Sequence, residues 1–228
     1  MKNKKFKICY VASSDMTLKF ILFSHLQFLA RQGYQVHAVC APGKWVKDIE
    51  AEGIKVKTIG FKRQMLTPVS DIVSFFRLYF YFQKEGFDIV HTHTLKPAFY
   101  GQMAAKIADV PIIINTLHGL DFAEDSSLLK KKFILFIEKI AAKSSDLVFS
   151  VSKKALATIL REKALEPSKI TYLGNGINTL RFNPLRFSQD FIQNKKKQLG
   201  IDPNKKVIGI VARLVAEKGY LELFSAFK

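Results

Sequence analysis

The stretch Asp88-Ile-Val-His-Thr-His-Thr94, continued by Leu95-Lys-Pro97 and an Ala-containing run, and closed by Val110-Pro-Ile-Ile-Ile-Asn-Thr-Leu-His-Gly-Leu-Asp121, decides the fold. Its two β-branched runs, 89–92 and 110–116, have strand length. Residues 97–108 between them favour helix, and Pro97 suits a first helical turn, where a missing N–H costs nothing. The pattern is a βαβ unit. Both strands end in polar side chains, His91, Thr92 and His93 on one, Asn115, Thr116 and His118 on the other. In an open parallel sheet ligands sit outside the carboxyl ends of the strands, so chemistry is expected there.

Outward from this unit the alternation continues. Residues 6–12 read as a buried strand, and Ser13, Ser14 and Asp15 open a helix over about 17–31 that Gly33 ends. Strands follow at 35–41 and 54–59, with a short helix at 44–52 between them. A helix at 69–85 capped by Gly86 leads into the central unit, and helices at 128–144 and 153–163 alternate with strands at 146–151 and 169–173. This predicts a doubly wound parallel sheet. Beyond 173 the texture changes to a polar link, 174–205, and then to a fresh strand at 207–212 and a helix. We therefore expect one α/β domain over 1–173 and, over 206–228, the start of a second, incomplete Rossmann-like domain.

Hydrophobic and aromatic contents of 48% and 12% indicate a folded chain, and 228 residues suffice for a substantial core. Lys and Arg outnumber Asp and Glu by 36 to 19, a formal net charge of +17, so an anionic partner is expected: phosphates, nucleic acid or an acidic membrane surface. No helix-turn-helix, zinc or RNP pattern supports nucleic acid. Cys9 and Cys40 lie in apolar runs and read as buried free thiols of a cytosolic protein. The basic amino terminus is followed only by a strand-length apolar run, and no run reaches the roughly 18 residues of a membrane span. The expected location is the cytosol or a membrane surface.

Among candidate site residues, Ser13, Ser14 and Asp15 sit where a helix amino terminus favours an anionic group, although capping alone explains them. No GxGxxG or Walker A pattern occurs, which leaves nicotinamide and P-loop nucleotides without support, and no cofactor is expected. His91 and His93 share a strand face, but no carboxylate or thiol stands at ligand spacing, so a metal site is rejected. His118 precedes Gly119, which lets backbone approach a ligand. Arg213 and Lys218 straddle a turn and suit a diphosphate, the plain alternative being a solvated basic loop. On the helix at 69–85, Ile72, Phe75, Phe76, Tyr79 and Phe82 share one face, with Phe80 and Tyr81 outside it. The excess of aromatics fits either a wide core-facing surface or a membrane contact.

Taken together, His91-Thr-His-Thr-Leu-Lys-Pro-Ala, Asn115-Thr-Leu-His-Gly-Leu-Asp-Phe, Asn175-Gly-Ile-Asn with Arg181-Phe-Asn-Pro, and Val211-Ala-Arg-Leu-Val-Ala-Glu-Lys-Gly resemble family 4 glycosyltransferases of the GT-B fold, in particular the capsular polysaccharide and lipid-linked oligosaccharide group. The resemblance implies an acceptor-side amino-terminal domain facing a nucleotide-sugar domain, and retaining sugar transfer. It implies a UDP-sugar donor, a lipid-linked glycan acceptor and work at the inner face of the cell membrane, on an anionic surface. By resemblance His118 is the catalytic-site histidine and Arg213 and Lys218 hold the donor diphosphate. Ser13, Ser14, Asp15, Gly119, Asp121 and Asn175 form the acceptor and substrate loops. The family's glutamate pair has no counterpart in these residues, so the chain is expected to be a truncated, inactive enzyme. The rival reading is a non-catalytic acceptor- or membrane-binding domain.

Overall fold

The computed structural model describes residues 5–61, 67–120, 122, 126–215 and 218–227, and the chain divides into two units, Met1–Asn175 and Gly176–Lys228. In the first, seven short apolar segments pair in parallel: β1 (Lys7–Val11), β2 (Gln35–Cys40), β3 (Lys55–Thr58), β4 (Ile89–His93), β5 (Ile112–Leu117), β6 (Leu147–Ser150) and β7 (Ile170–Tyr172). Their order is β3-β2-β1-β4-β5-β6-β7. The expected doubly wound sheet is formed.

Side-chain alternation sends successive strand residues to opposite faces. Ile8, Tyr10 and Ala12 pack with Leu18, Leu22 and Leu26. Those leucines come from a helix that runs as α1 (Asp15–Thr17), a π turn at Leu18–Leu22, and α2 (Phe23–Arg31); α3 (Val46–Glu50) adds Ile49. Cys9 and Val11 point the other way, onto α4 (Pro68–Glu85) and α5 (Leu95–Ile107) through Leu78, Phe82, Ala104 and Ala105. On that side α6 (Leu128–Lys143) and α7 (Lys153–Arg161) cover β5 to β7 with Ala142 and Ile159. Both cysteines are buried free thiols, and burial pushes Cys40 up to about 12. Among the described residues no helix is long and apolar enough to cross a membrane.

The structure decides which side of α4 faces inward and corrects one expectation. The inward face of α4 is Asp71, Ser74, Leu78, Tyr81 and Phe82, whereas Ile72, Phe76 and Phe80 are exposed. Tyr81, turned inward, packs with Leu78, Phe82 and Phe87, and its hydroxyl meets His37 Nδ1 at 2.8 Å, a bond an aromatic count does not reveal. In the second unit, α8 (Gln189–Gln198) and α9 (Tyr220–Ser225) form, but residues 207–212 are not a strand, and Val207, Ile208 and Val211 are exposed. A lone strand has no neighbour for its N–H and C=O groups.

The approach of α5 to β4 is close enough to exclude a side chain at Gly101: a Cβ there would lie 2.9 Å from Thr92 Cγ2. Overpacking of this kind costs about 1–3 kcal/mol, more than the roughly 1 kcal/mol of helix propensity that leaving glycine gains. Gly101→Val, which as a β-branched residue gains less, is expected to destabilise by about 2 kcal/mol or more in urea unfolding. Adding Thr92→Ser, which removes the offending methyl, is expected to restore part of that loss.

Candidate functional site

Strand order reverses between β1 and β4: from β1 the chain runs outward to β2 and β3, and from β4 it runs the other way to β7. The loops after β1 and β4 therefore diverge and leave a crevice. Ser13 N–H bridges it, donating to Thr94 Oγ1 at 3.2 Å. Thr94 has φ 67°, a conformation that is strained for a β-branched residue and is held by that bridge and by its own hydroxyl, which donates to the His93 carbonyl. Strain of this kind concentrates at functional sites.

Beside the crevice a cavity of about 160 Å³ opens among Thr94, Ala98, Asn115, His118, Gly119 and Glu138. Gly119 has φ 133°, outside the range most side chains tolerate, and it also borders a second cavity, of about 560 Å³, between α6 and α7. Under the small cavity the polar strand ends are knitted together. Thr92 Oγ1 donates to Asn115 Oδ1 at 3.0 Å, and His91 Nε2 lies 2.8 Å from Thr116 Oγ1.

Aromatic rings form a ladder from the core to the cavity. Tyr10 stacks on His93 with centroids 5.2 Å apart, the His91 and His93 rings are 4.3 Å apart, and His93 Nδ1 lies 3.1 Å from His118 Nε2. Burial holds His93 well below the usual histidine range and His91 down at about 3. Burial first, and then His25, lowers His118 as well. These three imidazoles are neutral at pH 7.

Neutrality makes the tautomers a question of hydrogen-bond accounting. His93 Nε2 is buried with no partner among the described residues. A buried orphan N–H is rarer and costlier than a bare acceptor, so the His93 proton sits on Nδ1 and is donated to His118 Nε2. His118 then keeps its own proton on Nδ1. His118 lines the cavity wall.

The remaining candidates are placed as follows. Ser14 caps the first helix, its Oγ accepting from Thr17 N–H at 3.2 Å. Asp15 is 7% exposed and accepts from Met16 N–H and from Trp45 N–H, which ties the loop after β1 to the loop after β2. Asn175 is exposed and lines neither cavity. Asp121 lies outside the described residues. Arg213 and Lys218 belong to the second unit and precede α9. Thr94 and Glu138 escaped the sequence reading. Nothing local marks Thr94, but Glu138 falls in register with Ile134, Ala141 and Ala142 on the buried face of α6, and an acid on such a face is a legible signal.

Comparison with known proteins follows the same outline. The family model described as Glycosyltransferase Family 4 matches residues 22–181. The chain is 31% identical over its full length to the capsular polysaccharide biosynthesis glycosyltransferase CapM of Staphylococcus aureus. Over 99% of its length it is 25% identical to an Escherichia coli UDP-Gal:alpha-D-GlcNAc-diphosphoundecaprenol alpha-1,3-galactosyltransferase. It spans 58% of the length of each. A glycosyltransferase structure from Rickettsia africae superposes with a TM-score of 0.76 at 21% identity, covering 98% of this chain and 57% of that one, which shows a common fold.

In ¹⁵N spectra of histidine-labelled protein, His118 is expected as the Nδ1–H tautomer, with its titration shifted below 6.5. His93→Phe is expected to release it to a mixture of tautomers. An Nε2–H signal for His118 in the unmodified protein would refute the assignment. The same burial sets an acid dependence. A histidine whose folded pKa is depressed takes up protons on unfolding, so stability falls as pH drops below about 6.5. For His91 that fall is complete near pH 3, and the melting temperature followed from pH 7 to pH 4 checks its direction.

Proposed function

The chain belongs to glycosyltransferase family 4, and on that premise we propose that it supplies the acceptor-side domain of a retaining enzyme. This enzyme transfers sugar from a UDP-sugar to a lipid-linked acceptor in cell-surface glycan synthesis. The observation that carries the reading is His118, an imidazole kept neutral by burial, on a small polar cavity beside the switch point of a doubly wound sheet, next to a glycine that admits close approach. A neutral imidazole donating from Nδ1 hydrogen-bonds a sugar hydroxyl without placing a full charge beside the reacting centre. The UDP-Gal and diphosphoundecaprenol in the name of the Escherichia coli relative support the choice of donor and acceptor class.

In this reading Arg213 and Lys218 bind the donor diphosphate, Arg as a fork and Lys as a point charge, and stabilise the negative charge that grows on it as the sugar departs. Ser13 and Gly119 line the acceptor's approach, while Ser14 and Asp15 hold the first loop in place. Acceptors anchored in lipid put the enzyme at the inner face of the membrane. The second unit exposes Val211 and Leu214 and has no strand among its described residues. These 228 residues alone are therefore expected to bind donor weakly and to turn over little. The rival reading, a domain that only binds acceptor or membrane, takes its support from the exposed apolar side chains of α4 and α6.

Saturation-transfer NMR with UDP-galactose is expected to show weak contact that Arg213→Ala and Lys218→Ala each weaken by about tenfold, the worth of one charge-assisted hydrogen bond. No contact at all would remove the donor-binding role. Radiolabelled UDP-galactose with a polyprenyl-diphosphate-linked acceptor tests turnover: measurable transfer would overturn the inactivity of these residues. Any such transfer is expected to drop about 100-fold in His118→Ala, the scale for removing one transition-state donor.

A further inference from the structure

Trp45, the single tryptophan of the chain, stands on the loop after β2, at the carboxyl ends of the strands. Its indole meets the ring of Phe20 with 82° between the planes and 5.1 Å between centroids, so the two rings form a corner. Phe20 is 62% exposed and Trp45 is half-buried. Lys44 Nζ lies over the indole, 4.7 Å from its centroid. Single exposed apolar side chains are ordinary on a protein surface. This pair differs because its position is built from below.

The support is a buried carboxylate. Asp15 accepts from Trp45 N–H and from Met16 N–H, each at 2.9 Å, and so fixes the loop that carries the indole to the helix that carries Phe20. Gly43 passes so close over that carboxylate that a Cβ there would overlap it. Phe20 itself sits in the π turn at Leu18–Leu22, which the buried Leu18 and Leu22 hold against the sheet. Single π turns are rare and recur at functional sites, and a buried charge is unfavourable unless hydrogen bonds satisfy it. Core packing gains little from a phenyl ring left mostly in solvent. The arrangement presents the rings.

The chemistry of the corner selects what it takes. Aromatic faces carry partial negative charge and attract polarised C–H groups. A pyranose ring has one face of such C–H groups and a rim of hydroxyls, and Lys44 and Asp48, one turn on from Trp45, offer a donor and an acceptor for that rim. We propose that Phe20 and Trp45 form a subsite that stacks a sugar ring of the acceptor's glycan, on the far side of the crevice from His118. The loops after β2 and β5 are three strand spacings apart, about 14 Å, which is more than one hexose ring spans. The corner therefore takes a sugar other than the one being extended. This rests on the reading of an acceptor-side domain, yet the two fail separately. Loss of UDP-galactose contact removes the donor role and leaves the corner, whereas the test below uses neither donor nor transfer.

Methyl β-glycosides of glucose, galactose, N-acetylglucosamine and N-acetylgalactosamine are titrated into the 228-residue protein while the emission of Trp45 is followed. At least one is expected to move the emission to shorter wavelength, as a sugar displaces water from the indole. Saturation-transfer NMR is expected to place its strongest contact on the C–H protons of one ring face. Trp45→Ala is expected to weaken that contact about tenfold, the scale of one good aromatic contact, and Trp45→Phe to keep most of it. Phe20→Ser is expected to weaken it about fivefold at an unchanged melting temperature, since the ring is already exposed. No emission shift and no saturation transfer with any of the four overturns the proposal, as does contact that survives both Trp45→Ala and Phe20→Ser. An emission shift with uridine, or with vesicles of phosphatidylcholine and phosphatidylglycerol, and with none of the glycosides, overturns it too.

Discussion

The reversal of strand order between β1 and β4 is the constraint on which the rest of the molecule depends. A parallel strand needs a crossover, and a sheet built outward in both directions from its centre puts its first helices on one face and the later ones on the other. At the reversal two neighbouring strands send their chains apart. The polar ends Ser13, Thr94 and His118 gather around that gap, and Thr94 accepts an unfavourable φ because Ser13 holds it from across the crevice.

Electrostatics divides the first unit into two regions of different character. The chain carries a formal charge of +17, yet the site is built of neutral imidazoles stacked on Tyr10 and kept uncharged by burial. Two rings 4.3 Å apart inside a sheet layer could not both become imidazolium cations without mutual repulsion. Exposed cations lie on α4 to α6, and Lys131, Lys132, Lys154 and Arg161 line the larger cavity that Gly119 borders, while the small cavity is bordered by the neutral His118.

Much of this was readable in the order of residues, and the parts that were not share a cause. The βαβ unit around Asp88 to Asp121 was plain because apolar runs of strand length alternate with helical runs, and period alone separates the two. Glu138 was legible in principle from its register on α6. Thr94 was not, because its strain comes from a hydrogen bond to a residue 81 positions away. The inner face of α4 could not be chosen from its sequence because the helix is apolar on nearly every side, and contacts from distant residues mark it, among them Tyr81 with His37 and Asp71 with Lys96. The strand expected at 207–212 shows the reverse case, a good local pattern with no partner strand among the described residues of its unit.

By itself the sequence determined the class of the fold, the kinds of side chain at the strand ends and the excess of positive charge. These follow from local periodicity and composition, which do not depend on what a segment meets. Only the tertiary structure decided that His93 Nδ1 lies within hydrogen-bond distance of His118 Nε2, that Asp15 is a structural tie between two loops, and that Val69, Ile72, Phe76 and Phe80 of α4 face outward. Each of these rests on groups far apart in the chain being brought within hydrogen-bond or packing distance, and the energy of such contacts has no expression in any local pattern.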